Sequence, residues 1–172
     1  AGDFVTAPEI SALFGQCLAN QANDLFSQGL APNILEFGAG SGKLCGDIIQ
    51  RLKDLGCDWT GYLILETSAD LQQRQKHYLQ QRLSSEEFGK ITWLSRLPQD
   101  FNGLVLGNEV LDAMPVNVVV KDSEWLELGV GFSDQKFQWL AYSSESEAVE
   151  AIKQIDQQGE LIQHYCSEVN LN

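Results

Sequence analysis

Three glycines at alternate positions, Gly38, Gly40 and Gly42, follow directly on the apolar run Ile34-Leu35-Glu36-Phe37. A helical pattern with Leu44, Ile48, Leu52 and Leu55 on one face begins immediately after them and stops at Gly56. A strand that feeds a helix through so tight a glycine turn is the opening unit of a parallel α/β sheet. Glycine permits the left-handed turn and a close approach of backbone to ligand, while the helix N-terminus offers free N–H groups. Tyr62-Leu63-Ile64-Leu65-Glu66 reads as the second strand, apolar throughout as a doubly covered strand should be. Ser68 then caps a helix carrying Leu71, Gln75, Tyr78, Leu79 and Leu83. Ile91–Leu94 and Leu104–Leu106 read as strands three and four. The expected order is 3-2-1-4 around a central Ile34–Phe37 strand, with an exposed apolar edge beside the fourth or a partner chain covering it, as in a homodimer.

After Pro115 the pattern changes. Val116–Lys121, Glu124–Phe132 and Lys136–Tyr142 read as an antiparallel meander, and 145–157 as a helix with Ala148, Ala151, Ile152 and Ile155 inward. The expected division is 1–115 as the α/β core and 116–172 as a meander insertion with its helix, part of the same domain. At the other end, Thr6-Ala7-Pro8-Glu9 reads as a capping box opening a helix with Ile10, Leu13, Phe14, Cys17 and Leu18, closed by Gly29. Ala1-Gly2-Asp3-Phe4 does not look like a natural start, consistent with a missing processed or targeting segment; no signal peptide is visible.

Three ligands could use the glycine turn. A dinucleotide fingerprint needs a third glycine where Lys43 stands, which disfavours a nicotinamide oxidoreductase. A P-loop needs a glycine at Phe37 and Ser or Thr at Leu44. An acid inside the strand end suits a zwitterion better. Glu36 can face an ammonium, the amides of Gly38, Gly40 and Gly42 can lie against the ligand, and Glu66 can take both ribose hydroxyls. S-adenosylmethionine carries those groups. Trp93 could stack on its adenine, or simply pack in the core. Asn108, Glu109 and Asp112 follow the fourth strand, where an acceptor would lie. Carboxylates hold a planar guanidinium by paired hydrogen bonds, and its pKa, far above neutrality, calls for a carboxylate to take its proton. The plainer reading makes Glu109 a helix cap and Asp112 a solvated acid. Lys43 reads as a solvated helix residue.

The formal net charge of -13 repels phosphate backbones, so nucleic acid is a poor partner and a basic protein segment a better one. The four cysteines and two histidines show no metal-ligand spacing, and no apolar run is long enough to span a membrane.

The stretches Gly2–Ser11, Leu35–Leu44 and Asn108–Val116 resemble the MidA family, whose eukaryotic members are mitochondrial complex I assembly factors acting as protein arginine methyltransferases. The resemblance implies a Rossmann-like class I methyltransferase sheet, incomplete here, with S-adenosylmethionine as cofactor. It implies a protein acceptor with an arginine-bearing segment, Thr6 near the methionine end of the cofactor, and a cytoplasmic or mitochondrial-matrix location according to source. Family members extend on both sides of the matching region, so the chain reads as truncated at both ends. A non-catalytic assembly or binding module keeping the cofactor fold is the alternative.

Overall fold

The structure is a computed structural model that describes residues 6–157 and 161–171. Gly2–Val5, within the first family-like motif, lie outside the described residues. The chain divides into two compact units, residues 1–112 and 113–172.

The first unit carries α1 (Ala7–Ile10), α2 (Ala12–Ser27), β1 (Asn33–Phe37), α3 (Lys43–Asp54), β2 (Gly61–Leu65), α4 (Ala69–Arg82), α5 (Ser85–Gly89), β3 (Ile91–Leu94) and β4 (Leu104–Gly107). Its strands are all parallel, in the order β3-β2-β1-β4, as expected. Alternate residues of a strand face opposite sides of the sheet. Ile34, Tyr62, Ile64 and Ile91 therefore share one face, and they pack with Ala19 and Ala22 of α2, Leu44, Cys45, Ile48, Ile49 and Leu52 of α3, and Leu79 of α4. The stripe on α3 takes in Cys45 and Ile49 and leaves Leu55 at the surface, because α2 and the sheet cover it from two directions. β4 pairs only with β1 among the described residues, and its Val105 is 52% exposed, the apolar edge anticipated.

The N-terminal helix departs from the sequence reading. The chain breaks at Ser11, whose side chain accepts the Leu13 N–H and caps α2, while Thr6 makes no side-chain cap. The break rotates Ile10 and Leu13 outward, so small residues make the buried face of α2. Gly15 sits so close to α3 that an added Cβ would lie 2.6 Å from Asp47 Cβ. α5 also went unread, although Ser84 and Glu87 close a full capping box at its start.

The second unit is an antiparallel sheet, β7-β6-β5-β8, of β5 (Asn117–Lys121), β6 (Trp125–Ser133), β7 (Lys136–Ser143) and β8 (Cys166–Val169), with α6 (Glu147–Ile155). Its core is Val119, Trp125, Ala148, Val149, Ile152 and Val169. The meander matches expectation; β8, pairing with β5, is an addition. Asp156 ends α6 by accepting from Lys121 Nζ, Trp125 Nε1 and the Leu161 N–H, and these bonds hold its carboxyl below the usual range. Among the described residues no helix is long and apolar enough to cross a membrane.

Candidate functional site

The site forms where β1 gives way to α3. The Gly38 N–H donates to Leu65 O, so the sheet ladder runs into the turn, and the Gly42 N–H closes it on Ala39 O at 2.8 Å. Gly40 has φ +54, and among the described residues no atom lies within 4 Å of where a Cβ would stand, so this side of the turn is open. Gly42, at φ +82, turns the other way: an added Cβ would lie 3.4 Å from Gln75 Cγ. Gly42 thus seats the loop on α4 and is not on the cavity wall.

A cavity of about 210 Å³ opens there, lined by Thr6, Pro8, Glu9, Glu36, Gly38, Ala39, Gly40, Leu44, Asn108 and Glu109. It lies outside the carboxyl ends of β1 and β4, the neighbours at which the strand order reverses, where ligands of open α/β sheets bind. Among the described residues its wall holds three carboxylates, Glu9, Glu36 and Glu109, and no basic side chain. Such a wall favours a cation and repels phosphate. Glu36 is 3% exposed, and its Oε2 accepts the Tyr62 hydroxyl at 2.7 Å. Burial pushes its carboxyl up to about 7, against the opposing pull of the tyrosine bond. Glu109 has φ +52, a left-handed conformation that non-glycine residues seldom adopt, and strain of this kind gathers at working sites. Asn108 lines the wall beside it.

Two residues of the N-terminal turn are tied to the glycine loop. Glu9 does not reach back to Thr6 as a capping box requires; its carboxylate accepts from Ser41 Oγ. Lys43 is not a free surface lysine: its Nζ donates to Pro8 O at 2.6 Å and pairs with Asp47 at 2.9 Å. These contacts bring Thr6 to the cavity.

The other expected residues lie elsewhere. Glu66, just past β2, is 7% exposed and off the cavity wall; Oε1 accepts the Ser68 N–H at 2.9 Å and Oε2 the Gln75 amide at 3.3 Å. Trp93 does not present itself to the cavity: its indole N–H donates to Gln75 Oε1 at 2.9 Å, and its ring tilts onto Phe88. Asp112 is exposed, in a 3-10 turn, and not on the wall. Gln75, read from sequence only as part of a helix face, is the residue that was missed. It joins the Gly40 carbonyl, Glu66 and Trp93.

Among solved structures, the chain is similar to a COG1565 superfamily protein of Burkholderia thailandensis bound to S-adenosyl-homocysteine, at 36% identity and a TM-score of 0.72, over 98% of this chain and 43% of that one. A native crystal structure of a COG1565 superfamily protein from the same organism gives a TM-score of 0.73 at 36% identity, over 99% of this chain and 45% of that one. Among curated proteins, human "Protein arginine methyltransferase NDUFAF7, mitochondrial" is 29% identical over 78% of this chain and 36% of its own length. The Bos taurus protein of that name matches to the same extent. The chain thus spans about a third of the length of these curated relatives. The family described as "Putative S-adenosyl-L-methionine-dependent methyltransferase" matches residues 15–172. That range takes in most of α2, the glycine turn and the Asn108-Glu109 loop, and the chain belongs to this family, as the MidA resemblance implied.

Proposed function

We propose that this chain is the cofactor-binding part of an S-adenosylmethionine-dependent enzyme that methylates arginine on a protein. The observation that carries the reading is the cavity wall, which among the described residues has an open glycine turn, three carboxylates and no cation, at the point where strand order reverses. The residues fit the cofactor. Glu36 and Glu9 on the cavity wall suit the ammonium of its methionine end, and the open side of Gly40 leaves space for a ligand beside the turn. Glu66 lies beyond Gly40, joined to it through Gln75, and each of its oxygens keeps capacity for a ribose hydroxyl. When bound, the cofactor supplies an activated methyl group on its sulfonium. Asn108 and Glu109 then hold the acceptor. Glu109 would pair with a guanidinium and accept the proton its nitrogen loses as the methyl group passes to it, and Asn108 would orient the acceptor. The names of the relatives, which include arginine methyltransferases of mitochondria, support the acceptor and the location.

The cofactor arm is tested by titrating the full-length protein with S-adenosylhomocysteine. Glu66→Ala is expected to weaken binding by roughly 1–3 kcal/mol, the cost of losing hydrogen bonds to a charged group. Wild-type affinity in that variant would remove Glu66 from the site. For the acceptor arm, labelled methyl groups should be recovered as methylarginine after hydrolysis of the modified protein; label on another side chain would exclude arginine.

A further inference from the structure

Gln75 lies in the middle of α4 with its side chain wholly buried. A primary amide sealed from water must place its donors and its acceptor inside the protein. Here Oε1 accepts the Trp93 indole N–H at 2.9 Å, and Nε2 donates to Gly40 O at 3.0 Å and Glu66 Oε2 at 3.3 Å. The amide can point only one way. An indole N–H is a donor and never an acceptor, so the amide oxygen must face β3. The NH2 group then faces a carbonyl and a carboxylate. The flipped amide would set donor against donor on one side and oxygen against two oxygens on the other.

The consequence reaches both halves of the cofactor site. Glu66 is held at Oε1 by the Ser68 N–H and at Oε2 by Gln75, so its plane is fixed before any ligand arrives. The same amide holds the carbonyl of Gly40, the residue whose open side faces the cavity. Gly42 rests on the Gln75 backbone and side chain, so loop and helix meet without a gap.

We infer that Gln75 is a positioning residue that sets the spacing between the glycine turn and the ribose-binding carboxylate, with its polarity dictated by Trp93. The inference rests on the S-adenosylmethionine reading of this site. Gln75 touches no reacting atom; it acts through Glu66 and the Gly40 backbone.

Two substitutions separate this role from mere packing. Gln75→Met keeps length and volume and removes the polar bonds. Gln75→Glu keeps the acceptor for Trp93 and puts an oxygen where Nε2 stood, against Glu66 and the Gly40 carbonyl. Two carboxylates so close cannot both ionise cheaply, whereas a protonated carboxyl can donate once more. Glu66 is the titratable group bonded to Gln75. Lys76 lies over the Trp93 ring, Arg82 at the end of α4 pairs with Asp47 of α3, and Glu36 belongs to the cavity wall. Because Glu36 also titrates in the wild type, each affinity is expressed as a ratio to wild type at the same pH.

The experiment is calorimetric titration of the full-length protein with S-adenosylhomocysteine between pH 5.5 and 8.5, with folding checked by thermal unfolding. Gln75→Met is expected to weaken binding by about 10- to 100-fold at every pH, the usual effect of losing hydrogen bonds to a charged group. Gln75→Glu is expected to lose about 100-fold at the alkaline end and to return to within about 5-fold of wild type at the acid end. Packing alone cannot produce that recovery, since the side-chain volume is the same at both pH values. A flat ratio for Gln75→Glu, or wild-type affinity in folded Gln75→Met, would overturn the assignment. If Gln75→Glu does not fold at alkaline pH, the Gln75→Met titration decides by the same criterion. Failure of the wild type to bind would remove the cofactor reading together with this one; wild-type binding with a flat ratio removes this one alone.

Discussion

Gly40→Val is expected to abolish cofactor binding, the largest effect of any single change in the glycine turn. Gly40 has φ +54, which a β-branched residue adopts only under strain, and nothing lies within 4 Å of the site its Cβ would take. The added branches would stand in the gap that the ligand needs. Backbone strain by itself would also weaken the protein, so a control is required. Gly56 has φ +66 and equally open surroundings at the end of α3, yet it does not line the cavity. Gly56→Val should therefore lose stability, by roughly 1–3 kcal/mol, and keep cofactor affinity. Parallel titration with S-adenosylhomocysteine and thermal unfolding of the full-length variants separates the two effects. An affinity loss of more than about 100-fold in Gly40→Val alone, equivalent to about 3 kcal/mol, is the expected result. Equal affinity in the two variants would place the ligand elsewhere.

Glu109→Gln should cut methyl transfer to arginine by at least about 100-fold while leaving cofactor affinity unchanged, the low end for loss of a positioned acid–base group. The substitution is well controlled by the structure. Glu109 sits at φ +52, and glutamine meets the same backbone strain, so the loop keeps its shape. What disappears is the charge that pairs with a guanidinium and receives its proton. Single-turnover transfer by the full-length wild type and variant, with cofactor affinity measured alongside, gives the answer. Equal rates would take Glu109 out of the mechanism. A parallel loss of cofactor affinity would assign it to the cofactor instead. A neutral acceptor would show a much smaller loss of rate, because no cation needs holding.

The sheet was legible because each strand is a short apolar run closed by glycine or a polar residue, and its order followed from the strand–helix alternation. The glycine turn was legible for a similar reason: its shape is local, and Glu36, Gly38 and Gly40 line one cavity. Contacts between distant segments were not. Lys43 meets Pro8, Glu9 meets Ser41, and Gln75 meets Gly40, all across more than thirty residues of sequence. Nothing in a helical period announces that a lysine or a glutamine will be used in this way. Thr6 and Ser11 were both chemically able to cap a helix, and the tertiary bond from Glu9 to Ser41 decides against the first. Trp93 could be core or ligand platform by composition, and the partner of its N–H, invisible in the sequence, settles its orientation.

Glu36 also bears on how the molecule withstands pH. Its carboxyl is raised from 4.5 to about 7 by burial, so the folded protein binds a proton there more tightly than the unfolded chain does. Below pH 4.5 both states hold that proton, and the burial is harmless. Between 4.5 and about 7 the unfolded chain releases it first, and the folded state loses ground as pH rises. Above about 7 an ionised carboxylate stays buried, and the ligand-free protein is less stable by about 3 kcal/mol than without the shift. An ammonium or sulfonium placed in the cavity offsets that loss directly. Thermal unfolding with and without S-adenosylmethionine should therefore show stabilisation by the ligand that grows from pH 5.5 to 8, and the growth should disappear in Glu36→Gln. On the proposed reading the buried charge of Glu36 stands where a cationic cofactor would neutralise it, so that at alkaline pH the cofactor would also act as a folding ligand.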